Sequence, residues 1–76
     1  MKINREKLGG MCKEYRMKKG KTQAEIAEIL GTTQTNISRF ESGKQMNILF
    51  VIYYILYIAP MTDTAKFLGV IEHGSD

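Results

Sequence analysis

The sequence predicts an all-α fold, a compact bundle of five helices. Apolar residues recur at helical spacing along most of the chain, glycines stand where these segments end, and strand signals are few. A chain of 76 residues with 43% hydrophobic content and one proline suits a single small core rather than disorder. We therefore expect one domain over residues 1–71 and a flexible tail over residues 72–76.

Charge and cysteine content narrow the class of function. Residues 1–21 hold eight basic and two acidic side chains, whereas the whole chain has a net charge of +3. Such a basic segment suits contact with phosphate groups, and a solvated helix face is the alternative interpretation. Cys12 is the only cysteine and His73 the only histidine. We therefore predict no disulfide, no metal site, no cofactor and no catalysis, and a reducing cytoplasm as the location.

The first helix is predicted to run from residue 4 or 5 to residue 19. Leu8 and Cys12 fall at helical spacing and belong to its core face. Gly9 and Gly10 are poor helix formers, and each costs about 1 kcal/mol relative to alanine. We therefore expect the first half of this helix to fray.

Thr22 opens a second helix, which is predicted over residues 23–30. Its hydroxyl and the carboxylate of Glu25, three residues later, have the spacing of a capping box. Gly31 follows at the point where the helix must end and the chain must turn through a positive φ. Ala27 is small where two crossing helices would approach most closely, which leaves room for a tight corner.

A third helix is predicted over residues 34–42, with Thr33 as its N-cap and Gly43 as its stop. Ile37 and Phe40 point one way, toward the core. The polar residues of this helix face the other way: Gln34, Thr35, Asn36, Ser38 and Arg39. Two short helices with such a glycine corner have the spacing of a helix-turn-helix, whose second helix enters the DNA major groove. Gln and Asn can pair with adenine, Arg can pair with guanine, and a Thr methyl can meet a thymine methyl.

Three short segments carry a resemblance to a known family: TQAEIA at residues 22–27, GTTQ at residues 31–34 and FESG at residues 40–43. Together they closely resemble the DNA-binding domain of the lambdoid phage repressors and Cro proteins, a large family of helix-turn-helix regulators. The resemblance is strong from about Leu8 to Lys44 and weak beyond. It implies a lambda-repressor-like bundle whose third helix binds double-stranded DNA.

The resemblance also implies roles for individual side chains. It implies base contacts from the third helix, with adenine expected at the first of them: Gln34, Thr35, Asn36 and Arg39. It implies phosphate contacts from residues around the motif: Gln23, Thr33 and Lys44. It further implies a buried ion pair between Arg16 and Glu41, and two independent surface charges are the alternative. Similar proteins carry several basic residues in the loop after residue 43, whereas only Lys44 is charged here.

Asn47 stands before twelve residues without a charge, ILFVIYYILYIA at residues 48–59, and Pro60 ends them. The run is too short for a membrane span, which needs about 20 residues. We predict a buried helix, with a strand as the alternative, and a short fifth helix over residues 63–68. The monomer covers one face of the buried helix; a homodimer covers the other, or the helix is central within the monomer. The candidate dimer contacts are Tyr53, Tyr54, Tyr57, Ile58 and Phe67.

These observations predict a sequence-specific transcriptional regulator that binds double-stranded DNA. We expect a Cro-like repressor that acts as a homodimer on a pseudo-palindromic operator, in the cytoplasm of a bacterial cell or a phage-infected host. We expect neither a membrane partner nor a small-molecule ligand. The alternative function is a protein–protein interaction module of the antitoxin or phage-inhibitor type, in which the helix-turn-helix is only a scaffold.

Overall fold

The computed structural model describes residues 3–73 of the chain. This part contains five α-helices and no strand. Side chains are described through residue 70. The helices are α1 (Arg5–Lys18), α2 (Gln23–Leu30), α3 (Gln34–Glu41), α4 (Ile48–Tyr53) and α5 (Thr64–His73). A π-helical turn, Tyr54–Ile58, continues α4, and a 3₁₀ turn, Met61–Asp63, precedes α5. The predicted all-α, five-helix bundle is therefore confirmed.

α2 begins and ends at the residues predicted from the sequence, 23 and 30. The Thr22 hydroxyl accepts from the Glu25 N–H at 3.1 Å and the Glu25 carboxylate accepts from the Thr22 N–H at 2.9 Å, which completes the capping box. Gly31 has a φ of 67°, and the N–H of the following Thr32 bonds back to the Ala27 carbonyl at 2.9 Å. A left-handed residue at this point turns the chain into α3 while the terminal carbonyls of α2 stay hydrogen-bonded.

One hydrophobic core holds the helices together. α1 packs against α3, the π-helical turn and α5, while α2 packs against α3. The Phe40 ring lies edge-on to Phe50 at 5.5 Å between centroids, and 5.6 Å from Tyr54. The other core side chains are Leu8, Cys12, Ile26, Ala27, Ile37, Val51, Ile58, Phe67 and Val70. Burial of this apolar set holds α3 with one face inward and the other in solvent.

α1 is helical from Arg5 onward, so the fraying expected at Gly9 and Gly10 is absent. A Cβ on Gly9 would lie 2.4 Å from the Phe40 carbonyl oxygen and 2.6 Å from that of Glu41, whereas a Cβ on Gly10 would meet nothing within 4 Å. Gly9 therefore lets the backbone of α1 touch the end of α3. This close approach outweighs the low helix propensity of glycine.

The segment predicted as one helix over residues 48–59 is helical but changes its winding. The Asn47 side-chain oxygen accepts hydrogen bonds from two backbone N–H groups in the first turn of α4. The helix then widens, and the Ala59 N–H bonds to the Tyr54 carbonyl at 2.8 Å. The strand alternative is excluded. None of the described helices has the length and apolar character needed to cross a membrane.

α5 is longer than the helix predicted over residues 63–68. It continues to His73, because Phe67 and Val70 both pack into the core and extend the buried face. The first two residues of the predicted tail over residues 72–76 thus belong to this helix. The remaining tail residues, 74–76, lie outside the described residues.

Three of the five predicted dimer contacts lie inside the monomer instead. Tyr54 and Phe67 are fully buried, and Ile58 is 5% exposed. The prediction was wrong for Tyr54 and Ile58 because the uncharged run offers no polar side chain that marks its outer side, and for Phe67 because this residue lies on the core face of α5. Tyr57 is exposed and Tyr53 is half-buried, so these two tyrosines reach the surface.

Candidate nucleic-acid interface

The outward side of α3 is polar and exposed. Ile37 and Phe40 anchor the helix in the core, which fixes the side chains that face solvent. The outer face of α3 consists of four exposed residues: Gln34, Thr35, Ser38 and Arg39. Together with Gln23 of α2, they line a shallow concavity of about 310 Å³. The structure thus brings three of the four predicted base readers together on one surface.

Ser38 also belongs to this face, although it is not among the predicted DNA contacts. It lies one helical turn after Gln34 on the same side of α3, and this spacing is the signal that identifies it. Its hydroxyl can both donate to and accept from a base edge or a phosphate. The exposed surface is therefore continuous along two turns of the helix.

Asn36, which was predicted to read bases, is turned back into the helix-turn-helix corner. Its side chain is half-buried, and Nδ2 donates to the Thr32 hydroxyl oxygen at 2.9 Å. Its backbone N–H bonds to the Thr33 hydroxyl oxygen at 3.1 Å, which caps α3. The assignment is corrected, because two residues after Gln34 the side chain lies about 200° around the helix. Asn36 braces the turn instead.

Gln34 is held by a second glutamine, which comes from α2. Gln34 Nε2 donates to Gln23 Oε1 at 3.5 Å, and Gln23 Nε2 donates to Glu41 Oε1 at 3.1 Å. An ionised carboxylate only accepts hydrogen bonds, so it faces the amide nitrogen of Gln23, and the oxygen of Gln23 then faces Gln34. The charge on Glu41 therefore sets the direction of both amides. No other hydrogen bond to the Gln34 amide is found among the described residues.

Glu41 is the buried anchor of this arrangement. Its side chain is 1% exposed. It accepts from Arg16 Nε at 2.8 Å, Arg16 Nη2 at 3.1 Å and the Tyr54 hydroxyl at 2.7 Å, as well as from Gln23. Burial by itself would raise the pKa of Glu41, but the hydrogen bonds from these three residues outweigh it and hold the pKa below its ordinary value. We call Glu41, Arg16, Gln23 and Tyr54 the Glu41 network.

Arg16 joins this network to α1. Its guanidinium bonds both oxygens of Glu41, and Nη1 donates to the Lys21 carbonyl at 2.8 Å. The hydrogen bonds to Glu41 raise the pKa of Arg16. The structure thus contains a buried ion pair rather than two independent surface charges. The pair ties α1 to α3 and to the start of α2, and removal of either partner would leave an uncompensated charge.

The predicted phosphate contacts lie beside the outer face of α3. Thr33 is exposed, and its hydroxyl oxygen accepts the capping bond while the O–H can still donate. Gln23 is the first residue of α2, so its backbone N–H has no acceptor within the helix. Lys44 is exposed in the loop after α3. Donors that flank a set of base-reading side chains are suited to holding the DNA backbone in register.

A second exposed surface, which is apolar, follows α4 and the π-helical turn. The α4 stripe consists of Ile48, Leu49, Ile52, Tyr53, Leu56 and Tyr57. Leu49 is 68% exposed and Leu56 is 65% exposed. The rings of Tyr53 and Tyr57 lie 5.2 Å apart. Of the stripe residues, only the two tyrosines are predicted contacts, although the helical spacing of the leucines with Ile52 is a sequence signal for the others.

In the described part of the chain, the other reactive or polar groups that could form a site offer no further chemistry. Cys12 is fully buried, and burial, with the charge of Glu41, raises its pKa to about 12. A groove of about 550 Å³ lies between α1 and α5, and in it the Tyr15 hydroxyl already donates to Asp63 at 2.7 Å. No group of three or more His, Cys, Asp or Glu side chains that could hold a metal ion occurs within the described residues.

The fold and the outer face of α3 together define a helix-turn-helix domain. Residues 13–48 match a family model described as helix-turn-helix, and this span contains α2, the corner and α3. The match covers just under half of the chain, and it supports the resemblance of this segment to the Cro/C1-type helix-turn-helix of lambdoid repressors and Cro proteins. That family consists of DNA-binding transcription regulators and is not typically enzymatic, so the match supports a DNA-binding transcription regulator of the Cro/C1 type. Comparison with curated proteins and with solved structures gave no match.

Proposed function

We propose that the chain is a Cro-like repressor that binds double-stranded DNA as a homodimer and reads the major groove with the outer face of α3. The observation that carries this proposal is the orientation of Gln34, whose amide is directed by Gln23 and by the buried charge of Glu41. Ordering a surface side chain loses conformational entropy. Such preorganisation is useful when the group must meet a partner of fixed geometry, as a base edge is.

Gln34 is the proposed adenine reader. Its oxygen accepts from N6 and its second N–H donates to N7 of one adenine. The methyl of Thr35 can contact a neighbouring thymine methyl, and Arg39, about one turn further along, bonds a guanine or a phosphate. Phosphate contacts are proposed for Gln23, Thr33 and Lys44. In this arrangement α3 supplies the specificity, and the flanking donors set its register.

The α4 stripe is the proposed dimer contact. Two copies related by a two-fold axis place stripe against stripe, and residues 48–59 hold no charge that would repel across the contact. Burial of exposed leucines such as Leu49 and Leu56 contributes about 25 cal/mol for each Å² of apolar surface removed from water. A two-fold dimer presents two copies of α3 to half-sites about one DNA turn apart, which predicts a pseudo-palindromic operator.

Repression follows from occupancy of the operator. The proposal needs one domain over residues 1–71, acting on DNA in the cytoplasm without a small-molecule effector. A dimer bound across a promoter excludes polymerase from the same stretch of major groove. Regulation would then depend on the concentration of the protein and on its affinity for each operator.

Selection of duplexes from a random library, followed by titrations at several salt concentrations, tests this function. We expect one pseudo-palindromic operator and an affinity that falls steeply as salt is raised. Gln34→Ala should weaken binding by about 1–3 kcal/mol and relax the preference at a single base pair. The matched change Gln45→Ala, in the loop after α3, should not relax any base preference. Unchanged affinity and preference in Gln34→Ala would contradict the proposed register of α3.

A protein–protein interaction module of the antitoxin or phage-inhibitor type is the second candidate function. The exposed apolar α4 stripe favours it, as does the loop after α3, in which Lys44 is the single basic residue. The same selection experiment separates the two functions. A chain that enriches no duplex at low salt would favour the interaction module, whereas a defined operator would exclude it as the main function.

A further inference from the structure

We propose that the Tyr54 hydroxyl is a positioning group for DNA reading, acting on Gln34 through Glu41 and Gln23. This inference rests on the proposed function. Tyr54 lies at the start of the π-helical turn and is fully buried, and its hydroxyl donates to Glu41 Oε2 at 2.7 Å. Because the side chain is buried, its influence on base reading would pass through hydrogen bonds rather than through contact with DNA.

The Glu41 carboxylate can accept about four hydrogen bonds, two on each oxygen. Oε1 accepts from Arg16 Nη2 and from Gln23 Nε2. Oε2 accepts from Arg16 Nε and from the Tyr54 hydroxyl. The carboxylate is therefore fully used and cannot rotate without breaking a bond. By completing Oε2, Tyr54 leaves Oε1 fixed in the position that holds Gln23.

Removal of the hydroxyl would leave one acceptor site of Oε2 without a partner in a buried environment. Such a site is unfavourable, so the carboxylate would turn toward its remaining donors. Gln23 is the donor that links the carboxylate to the outer face of α3, and it would move with Glu41. Gln34, bonded to Gln23 at 3.5 Å, would then lose its fixed direction. Base preference at the Gln34 position should broaden although no group that faces DNA has been removed.

The chain offers a matched control for this change. The Tyr15 hydroxyl donates to Asp63 Oδ2, also at 2.7 Å, in the groove between α1 and α5. Tyr15→Phe therefore removes the same group and the same kind of bond as Tyr54→Phe. Neither Tyr15 nor Asp63 shares a hydrogen bond with the Glu41 network within the described residues. A general loss of stability should appear in both variants, whereas a change in base preference should appear only in Tyr54→Phe.

The two variants are compared on the operator that the wild type selects and on a duplex in which the base pair read by Gln34 is replaced. We expect Tyr54→Phe to lower the discrimination between these duplexes by about three- to tenfold, and Tyr15→Phe to leave it unchanged. In a Gln34→Ala background, Tyr54→Phe should have no further effect on discrimination. Wild-type discrimination in Tyr54→Phe would overturn this inference and leave the proposed function intact. A wild-type chain that selects no duplex would overturn both.

An NMR measurement on the free protein tests the same inference without DNA and without a substitution of a buried residue. The carbon-13 shift of Tyr54 Cζ reports on the hydrogen bond of its hydroxyl. In the free protein, Gln23→Ala should move this resonance because it removes a donor that shares the carboxylate, whereas Gln45→Ala should not. A resonance that Gln23→Ala leaves unmoved would overturn the inference even if Tyr54→Phe failed to fold.

Discussion

The outer face of α3 and the α4 stripe are both exposed, but the protein supports them in opposite ways. Beneath α3, directional hydrogen bonds run from the buried Arg16–Glu41 pair to Gln34. Beneath α4 lies an aromatic cluster around Phe40, and the stripe above it carries no charge. A polar face that must match base edges depends on orientation, whereas an apolar face depends on area and shape. Changes to the buried charge should therefore impair the α3 surface before they impair the α4 stripe.

Removal of the buried charge should have the largest effect on stability. Glu41→Ala leaves Arg16 buried without its counter-charge, and we expect a loss of about 3 kcal/mol in the free energy of unfolding. Glu28→Ala removes an exposed carboxylate from α2 and should change this free energy by less than about 0.5 kcal/mol. Urea and thermal melts of both variants measure the difference. A Glu41→Ala melt that matches the wild type would show that the ion pair does not support the fold.

Acidic pH should reduce the stabilisation that the charged Glu41 provides. The pKa of Glu41 lies below its ordinary value in the folded protein because its hydrogen bonds outweigh its burial, so the folded state favours the charged form more than the unfolded state does. The stabilising contribution of Glu41 is present above the unfolded pKa, about 4.3, and is lost as the pH falls through the folded value. Melts over a range of acidic pH should therefore show a steeper loss of stability in the wild type than in Glu41→Gln.

Part of that acid sensitivity should persist in Glu41→Gln. The hydrogen bond from Tyr15 lowers the pKa of Asp63, and the hydrogen bond from the Thr22 backbone N–H lowers the pKa of Glu25. Each of these carboxylates favours its charged form in the folded state, so its contribution to stability is also lost as the pH falls. Equal pH slopes in the wild type and in Glu41→Gln would contradict the assigned role of Glu41.

Two neighbouring glycines test the contact that places α3 against α1. Gly9→Ala puts a Cβ 2.4 Å from the Phe40 carbonyl oxygen, so we expect a loss of about 1–3 kcal/mol in the free energy of unfolding. Gly10→Ala makes the same change where nothing lies within 4 Å, and it should gain up to about 1 kcal/mol through better helix propensity. Denaturant melts of the two variants should therefore shift in opposite directions. A shift of the same sign would contradict the close approach.

A change in the α4 stripe should have the smallest effect on the fold and act on association instead. Leu56 is 65% exposed, so Leu56→Glu should alter the free energy of unfolding of the monomer by less than about 0.5 kcal/mol. It should abolish the dimer, because a two-fold contact would bury two like charges. Light scattering should find Met61→Glu, at a residue that is 91% exposed outside the stripe, as dimeric as the wild type. A monomeric wild type or a dimeric Leu56→Glu would exclude the stripe as the dimer contact.

The helix ends could be predicted from the sequence, whereas the contacts between helices could not. The capping box at Thr22 and the corner at Gly31 depend on residues that are close in the chain, so local propensity carries them. The role of Gly9 depends on carbonyls at the end of α3, and helix propensity alone led to the wrong expectation of fraying. Tertiary packing decides such positions.

Some residues of the candidate site could likewise be predicted from the sequence, and others could not. Gln34, Thr35 and Arg39 follow from helical spacing once α3 is placed, although Asn36 shows that this spacing must be applied strictly. Tyr54 could not be found, because the uncharged run ILFVIYYILYIA does not mark which tyrosine turns inward. Its partner is a buried carboxylate on another helix, and only the folded structure brings the two together.

Nuclear Overhauser contacts between the protein and its selected operator test the central proposal most directly. We predict contacts from the side-chain amide protons of Gln34 to a single adenine in the major groove, and none from the α4 stripe to DNA. Contacts that arise only from other surfaces, with the outer face of α3 left in solvent, would contradict major-groove reading by α3.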